Sequence, residues 1–135
     1  MEDKLQILIL DDEPIVGKRL GSALTKMGGE VEVYEDPHKV LERIQDKTFD
    51  IVVTDIRMED IDGIEILERV KSRSDHTKVI MITGYATVEV AREALGKGAF
   101  DFIAKPFKPN DLREIIFRAA EALGFKGLTR PGAPS

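Results

Sequence analysis

Four short apolar runs in this chain each stop at a polar side chain, and that pattern constrains the fold more than anything else in the sequence. "LQILIL" (5–10) runs into Asp11-Asp12, "DIVVTD" (50–55) ends on Asp55, "KVIMIT" (78–83) on Thr83, and "DFIA" (101–104) meets Lys105. Three of these runs are apolar almost throughout, which is how a strand covered on both faces reads. A fifth run, "VEVY" (31–34), alternates instead and predicts an edge strand with one wetter face. Helical spacing fills the gaps. Val16, Leu20, Ala23, Leu24 and Met27 fall on one helical stripe, as do Leu112, Ile115, Ile116, Ala119, Ala120 and Leu123. Weaker helical patterns cover roughly 37–47, 63–72 and 87–97. Gly28-Gly29 closes the first helix, and Asn110 after Pro109 reads as the N-cap of the last. Five strands alternating with five helices predict an α/β fold, a doubly wound parallel sheet flanked by helices on both faces.

In open parallel sheets, ligands bind beyond the carboxyl ends of the strands, where the strand order reverses. Asp11, Asp12, Asp55, Thr83 and Lys105 all emerge at that edge, from four of the five strands. Three carboxylates crowded together repel one another and need compensation. A hard divalent cation supplies it, and carboxylate and carbonyl oxygens suit Mg²⁺. Lys105 adds a point charge able to pair with a carboxylate or hold a phosphate oxygen, and Thr83 a short, stiff hydroxyl donor. Taken singly, each residue has an ordinary explanation. A strand-end Asp is commonly a turn former, Asp-Asp-Glu before Pro14 suits a helix N-terminus, and Lys105 before Pro106 reads as a surface lysine. Their convergence on one edge is much rarer than its parts.

Composition narrows the class further. A length of 135 residues fits one domain, and 42% hydrophobic with 33% charged residues is ordinary for a globular protein. No apolar run approaches the roughly 18 residues of a membrane span, and "MEDKLQ" lacks the basic start of a signal peptide. With no cysteine, thiolate and disulfide chemistry are excluded, which fits a cytoplasmic protein. The net charge of -5 argues against a chain-wide nucleic-acid footprint.

"ILDDE", "DIVVTDIRM", "MITGYAT" and "GAFDFIAKPF", in that order and spacing, resemble the receiver domain of two-component response regulators over residues 5 to about 123. The stretch from Thr83 to Phe107 looks most like receivers of the enhancer-binding, NtrC-like branch of transcriptional regulators. The resemblance implies a flavodoxin-like five-stranded sheet of order 2-1-3-4-5. It implies that Asp55 accepts a phosphoryl group from the histidine of a sensor kinase or phosphotransfer protein. Asp12 would ligate Mg²⁺ directly, Asp11 largely through water, and the backbone carbonyl of Arg57 would complete the protein ligands. Lys105 and Thr83 would contact phosphoryl oxygens, with the Lys105-Pro106 bond cis. Such roles suit the chemistry, since phosphoryl transfer asks mainly for positioning and neutralisation of the equatorial oxygens. The family's coupled switch is implied with Thr83 moving toward the phosphoryl group and Phe102 filling the space it leaves. Simple core packing is the plainer role for Phe102, and the two are compatible.

Two departures from the family pattern stand out. Met58 is followed by Glu59-Asp60 rather than proline, adding negative charge near the site, and Tyr85 lies where the family controls the hydrolytic water. Residues 1–123 read as the receiver and 124–135, rich in Gly and Pro, as a flexible tail or the start of a linker. Residues 87 to 123 would form the output surface (fourth helix, fifth strand, fifth helix) and support dimerisation, in a stand-alone receiver or a piece of a longer regulator. Two other classes stay open. A haloacid-dehalogenase-type phosphatase would want a DxD pair after the first strand, where this chain has "DDE". A degenerate receiver would act only as a binding module, yet all five signature positions are filled.

Overall fold

The structure, a computed structural model, describes residues 4–56, 62–84 and 88–128. The carbonyl of Arg57, the Met58-Glu59-Asp60 departure and Tyr85 lie outside the described residues. In chain order the elements are β1 (Leu5–Leu10), α1 (Pro14–Lys26), β2 (Gly29–Tyr34), α2 (Pro37–Asp46), β3 (Ile51–Asp55), α3 (Gly63–Arg73), β4 (Lys78–Thr83), α4 (Val88–Gly96), β5 (Asp101–Ala104) and α5 (Pro109–Ala122). All strands pair in parallel, in the order β2-β1-β3-β4-β5. The fold is the doubly wound sheet that the alternation predicts.

The strand period of two splits the core into two layers. Ile7 and Ile9 of β1, Ile51 and Val53 of β3, Ile80 and Ile82 of β4 and Ile103 of β5 face one side. There they meet Leu20 and Leu24 of α1 and Leu112, Ile115, Ile116, Ala119 and Ala120 of α5. Leu8, Leu10, Val52, Val79 and Met81 face the other side, against α2, α3 and Ala94 of α4. Both faces are covered, so the central runs stay apolar apart from Gln6 and Lys78 near the strand starts and the buried Thr54, whose hydroxyl donates to Asp55 O at 3.0 Å.

β2 lies at one edge, and its alternation puts Glu32 on a half-buried face. Arg43 of α2 donates two hydrogen bonds to that carboxylate at 2.9 Å, Tyr34 Oη donates a third at 2.8 Å and Lys47 Nζ a fourth at 3.2 Å. The Arg43 hydrogen bonds are the main reason that the Glu32 carboxyl is lowered from its ordinary 4.5 to about 2.

The ends of three helices bear on the site or on its surroundings. Gly28 takes φ 111° after α1, as the Gly28-Gly29 pair suggested. At α5 the N-cap is Lys108 rather than Asn110. Pro109 occupies the first helical position, where its missing N–H costs nothing, and Asp111 accepts from the Lys108 N–H at 3.0 Å. Asn110 is then already helical, and its Oδ1 accepts from Arg113. Gly124, at φ 79°, ends α5 with its N–H on Glu121 O and the Phe125 N–H on Ala120 O. Phe125 and Leu128 fold back against the α1/α5 layer. Finally, α3 begins at Gly63, whose N–H donates to Ile56 O at 2.8 Å. A Cβ there would run into the Asp55 carbonyl and come within 2.8 Å of Ile56 Cα.

Two outcomes follow from these contacts. Glu32→Gln should lower the unfolding free energy by about 1 kcal/mol at pH 7, in urea titrations. Because the folded carboxyl is depressed, its contribution is full above pH 4.5, and the gap between the proteins should close as pH falls toward about 2. Gly63→Ala has no room without moving β3 or α3, and should cost roughly 1–3 kcal/mol in the same assay, where an unchanged urea midpoint would contradict the packing.

Candidate functional site

Register explains why the polar strand ends meet. Leu10 pairs with Thr54, so Asp11 stands level with Asp55. Asp55 pairs with Ile82 and Thr83 with Ala104, so Thr83 lies one step beyond the level of Asp55 and Lys105 two. The Lys105 N–H donates to Thr83 O at 2.7 Å, and the Lys105-Pro106 peptide bond is cis. Asp11, Asp55 and Lys105 continue the alternation of Ile9, Val53 and Ile103, on the α1/α5 side. Thr83 continues that of Met81 on the opposite side, where Phe102 pairs with Met81 and packs half-buried against the α2/α3/α4 layer. Phe102 is thus a diagonal neighbour of Thr83.

Asp11 is fully buried, Asp55 is 6% exposed and Thr83 5%, whereas Asp12 is exposed. One carboxylate oxygen from each of Asp11, Asp12 and Asp55 lies within 4.8 Å of the other two. Asp11 Oδ1 accepts from the Glu13 N–H at 2.8 Å. Its Oδ2 is buried without a hydrogen bond among the described residues. Lys105 Nζ stands 3.2 Å from that oxygen, close enough for ionic attraction but outside hydrogen-bond geometry. The same ammonium lies 3.4 Å from Asp55 Oδ2 and 2.9 Å from Glu13 Oε1. Burial by itself would push the Lys105 pKa down. The Glu13 hydrogen bond and the charges of Asp11 and Asp55 outweigh it and hold the pKa above the ordinary lysine value, so the ammonium is charged throughout the neutral range.

The donor set fits a hard cation. It is all oxygen, it is gathered around a buried carboxylate oxygen that lacks a hydrogen bond among the described residues, and its spread needs little closing to reach the about 3 to 4 Å between oxygens on a Mg²⁺ octahedron. A buried carboxylate beside a fixed ammonium, with oxygen ligands alongside, can present an anionic nucleophile to an anionic substrate.

The structure brings Asp11, Asp12, Asp55 and Lys105 into one cluster and sets Thr83 and Phe102 beside it on the neighbouring strands. Two further residues escaped the sequence reading. Glu13 occupies the N-cap of α1, yet its side chain makes no capping hydrogen bond and reaches Lys105 instead. Gly63 lets α3 start against the backbone of Asp55. Only the first carried a local signal, a third acid beside Asp11-Asp12.

Comparison with known proteins agrees with this geometry. Residues 7–117 match the response regulator receiver domain. The regulatory protein AtoC of Escherichia coli is 40% identical over 121 residues, 90% of this chain and 26% of AtoC. The transcriptional regulatory protein FixJ of Bradyrhizobium diazoefficiens is 34% identical over 86% of this chain and 57% of its own. The chain therefore spans about a quarter to just over half the length of these relatives. Among solved structures, a CheY-like receiver domain protein from Methanospirillum hungatei superposes with a TM-score of 0.86 at 32% identity, covering 90% of this chain and 98% of that one. NtrX from Brucella abortus gives 0.83 at 31%, over 90% of this chain and 28% of its own. The matched segment contains every strand-end residue of the cluster, and the chain belongs to the response regulator receiver domain family.

Proposed function

We propose that this chain is a phosphoacceptor switch of a two-component system, taking its phosphoryl group on Asp55 from the histidine of a sensor kinase or phosphotransfer protein. The observation that carries the reading is the buried Asp55 carboxylate set 3.4 Å from a charged Lys105, with Asp11 and Asp12 within metal-sharing distance. An Asp55 oxygen would attack phosphorus. The new O–P bond forms as the P–N bond breaks, and the imidazole keeps the electron pair and takes a proton from solvent. Lys105 is held ready to neutralise a phosphoryl oxygen, and Thr83 offers its hydroxyl to another. Asp11, Asp12, Asp55 and the Arg57 carbonyl would hold Mg²⁺, which offsets the repulsion between carboxylates and incoming phosphate. Water attack on phosphorus later returns the carboxylate and inorganic phosphate, so the protein changes only itself and is a switch rather than a turnover enzyme.

The phosphoryl group would draw Thr83 inward, and Phe102 would take up the vacated space, changing the surface of α4, β5 and α5. That surface is the proposed site of partner binding or dimerisation, with no nucleic-acid contact assigned to this chain. Among the described residues no helix is long and apolar enough to cross a membrane, in keeping with the proposed cytoplasmic location. We place the receiver unit at residues 1–123, with 124–135 as tail or linker start, of which Phe125 and Leu128 rest on the α1/α5 layer.

Incubation with Mg²⁺ and acetyl phosphate should give a stoichiometric, base-labile adduct that is lost in Asp55→Asn. Multiple turnover without an accumulating adduct would mark a phosphatase, and no adduct would mark a pure binding module. Asp11→Asn should weaken Mg²⁺ binding by roughly tenfold, read by calorimetry, because it removes charge where water cannot replace it.

A further inference from the structure

Among the described residues Lys105 has three carboxylate neighbours, and its shortest contact is to the one outside the proposed chemistry. Its Nζ lies 2.9 Å from Glu13 Oε1, against 3.2 Å to Asp11 Oδ2 and 3.4 Å to Asp55 Oδ2. A charge-assisted bond at 2.9 Å is near its optimum, whereas 3.4 Å is at the weak end. The Glu13 side chain is 62% exposed, while those of Asp11 and Asp55 are 0% and 8% exposed. Glu13 can therefore let go of the ammonium and be solvated at little cost, which its buried neighbours cannot. The helix-capping role that its position suggests is not filled by its side chain, because Glu13 makes no side-chain cap hydrogen bond. The backbone N–H of Glu13 meanwhile fixes Asp11 Oδ1, a contact that survives any substitution except proline.

We propose that Glu13 is a positioning residue, a latch that draws Lys105 toward itself, leaves only a long 3.4 Å hydrogen bond from the ammonium to Asp55 Oδ2 in the unmodified protein, and must release it when a phosphoryl-like group arrives. The inference rests on the phosphoacceptor reading of Asp55. Modification then exchanges one Lys105 partner for another: the Glu13 hydrogen bond opens to solvent, and the ammonium moves to an oxygen of the group on Asp55. The latch raises the threshold for modification without touching the reacting atoms.

The test is a beryllofluoride titration of the whole chain at saturating Mg²⁺, with the ¹⁵Nζ resonance of Lys105 followed in parallel. Saturating metal removes any contribution from a change in Mg²⁺ affinity. Glu13→Gln should bind beryllofluoride about two- to fivefold more tightly, the range expected for losing one partly exposed charge pair. Glu13→Asp keeps the charge but is one methylene shorter, so under the latch it should behave like Glu13→Gln, and in both the Lys105 resonance of the free protein should shift toward its bound position. If Glu13→Asp behaves like the wild type while Glu13→Gln binds more tightly, net charge rather than the contact is responsible and the latch is overturned. Unchanged or weaker binding in both variants overturns it as well. Failure of the underlying reading looks different, since the unsubstituted protein would then bind no beryllofluoride at Asp55.

Discussion

One ammonium holds the carboxyl edge of the sheet together. Parallel register brings Asp11 and Asp55 side by side at the ends of two central strands, both nearly free of solvent. Two anions so placed would repel strongly in a medium of reduced dielectric. Lys105 relieves this from β5, and it can do so only because β4 lies between β3 and β5 and carries Thr83 past the level of Asp55. The ammonium does not satisfy every oxygen, because Asp11 Oδ2 keeps no hydrogen bond among the described residues. A site with several carboxylates around one ammonium, and with a buried oxygen short of a hydrogen bond among the described residues, is one in which an added cation finds unmet partners.

The sheet supplies the rigidity that such balance needs. Strands buried on both faces cannot shift by one residue without carrying a whole row of Ile and Val to the other layer. The level of Asp11 with Asp55 is therefore fixed by the same residues that form the core. Gly63 adds a second restraint, since α3 can begin directly against the Asp55 backbone only without a Cβ. Asp55, the proposed nucleophile, is thus held from its own strand, from the strands on either side and from the helix that follows.

Much of this was legible in the sequence because period-two runs expose where they stop. The alternation of "VEVY" marked β2 as an edge, and continuous apolar runs marked β1, β3 and β4 as central. The ends of those runs then named Asp11, Asp12, Asp55, Thr83 and Lys105. What escaped depends on contacts between distant parts of the chain. Glu13 meets Lys105 across 92 residues, and nothing near Glu13 distinguishes a lysine partner from a helix cap. The start of α5 was misplaced for a local reason: Asn is a good cap in isolation, but the Asp111 carboxylate bonds the Lys108 N–H and starts the helix at Pro109. The return of Phe125 and Leu128 to the core likewise follows from the left-handed turn at Gly124, which loss of periodicity alone did not reveal.

The two faces of the sheet also differ in how many described helix residues they bury, and in the proposed switch this would give the movement a direction. Asp11, Asp55 and Lys105 belong to the side packed by α1 and α5, and α5 alone buries five residues there. Thr83 and Phe102 belong to the other side, toward α4. Among the described side chains of α4 only Ala94 is fully buried, and Leu95 is 44% exposed. A helix with few buried contacts is one whose displacement costs least. A charge added at Asp55 therefore meets resistance on the α1/α5 side, where the core is deepest. On the α4 side it would meet the Thr83 hydroxyl, the half-buried Phe102 ring and a helix with one fully buried side chain among those described. In the proposed switch the ammonium would absorb the added charge on one face, and the movement would be released through the other.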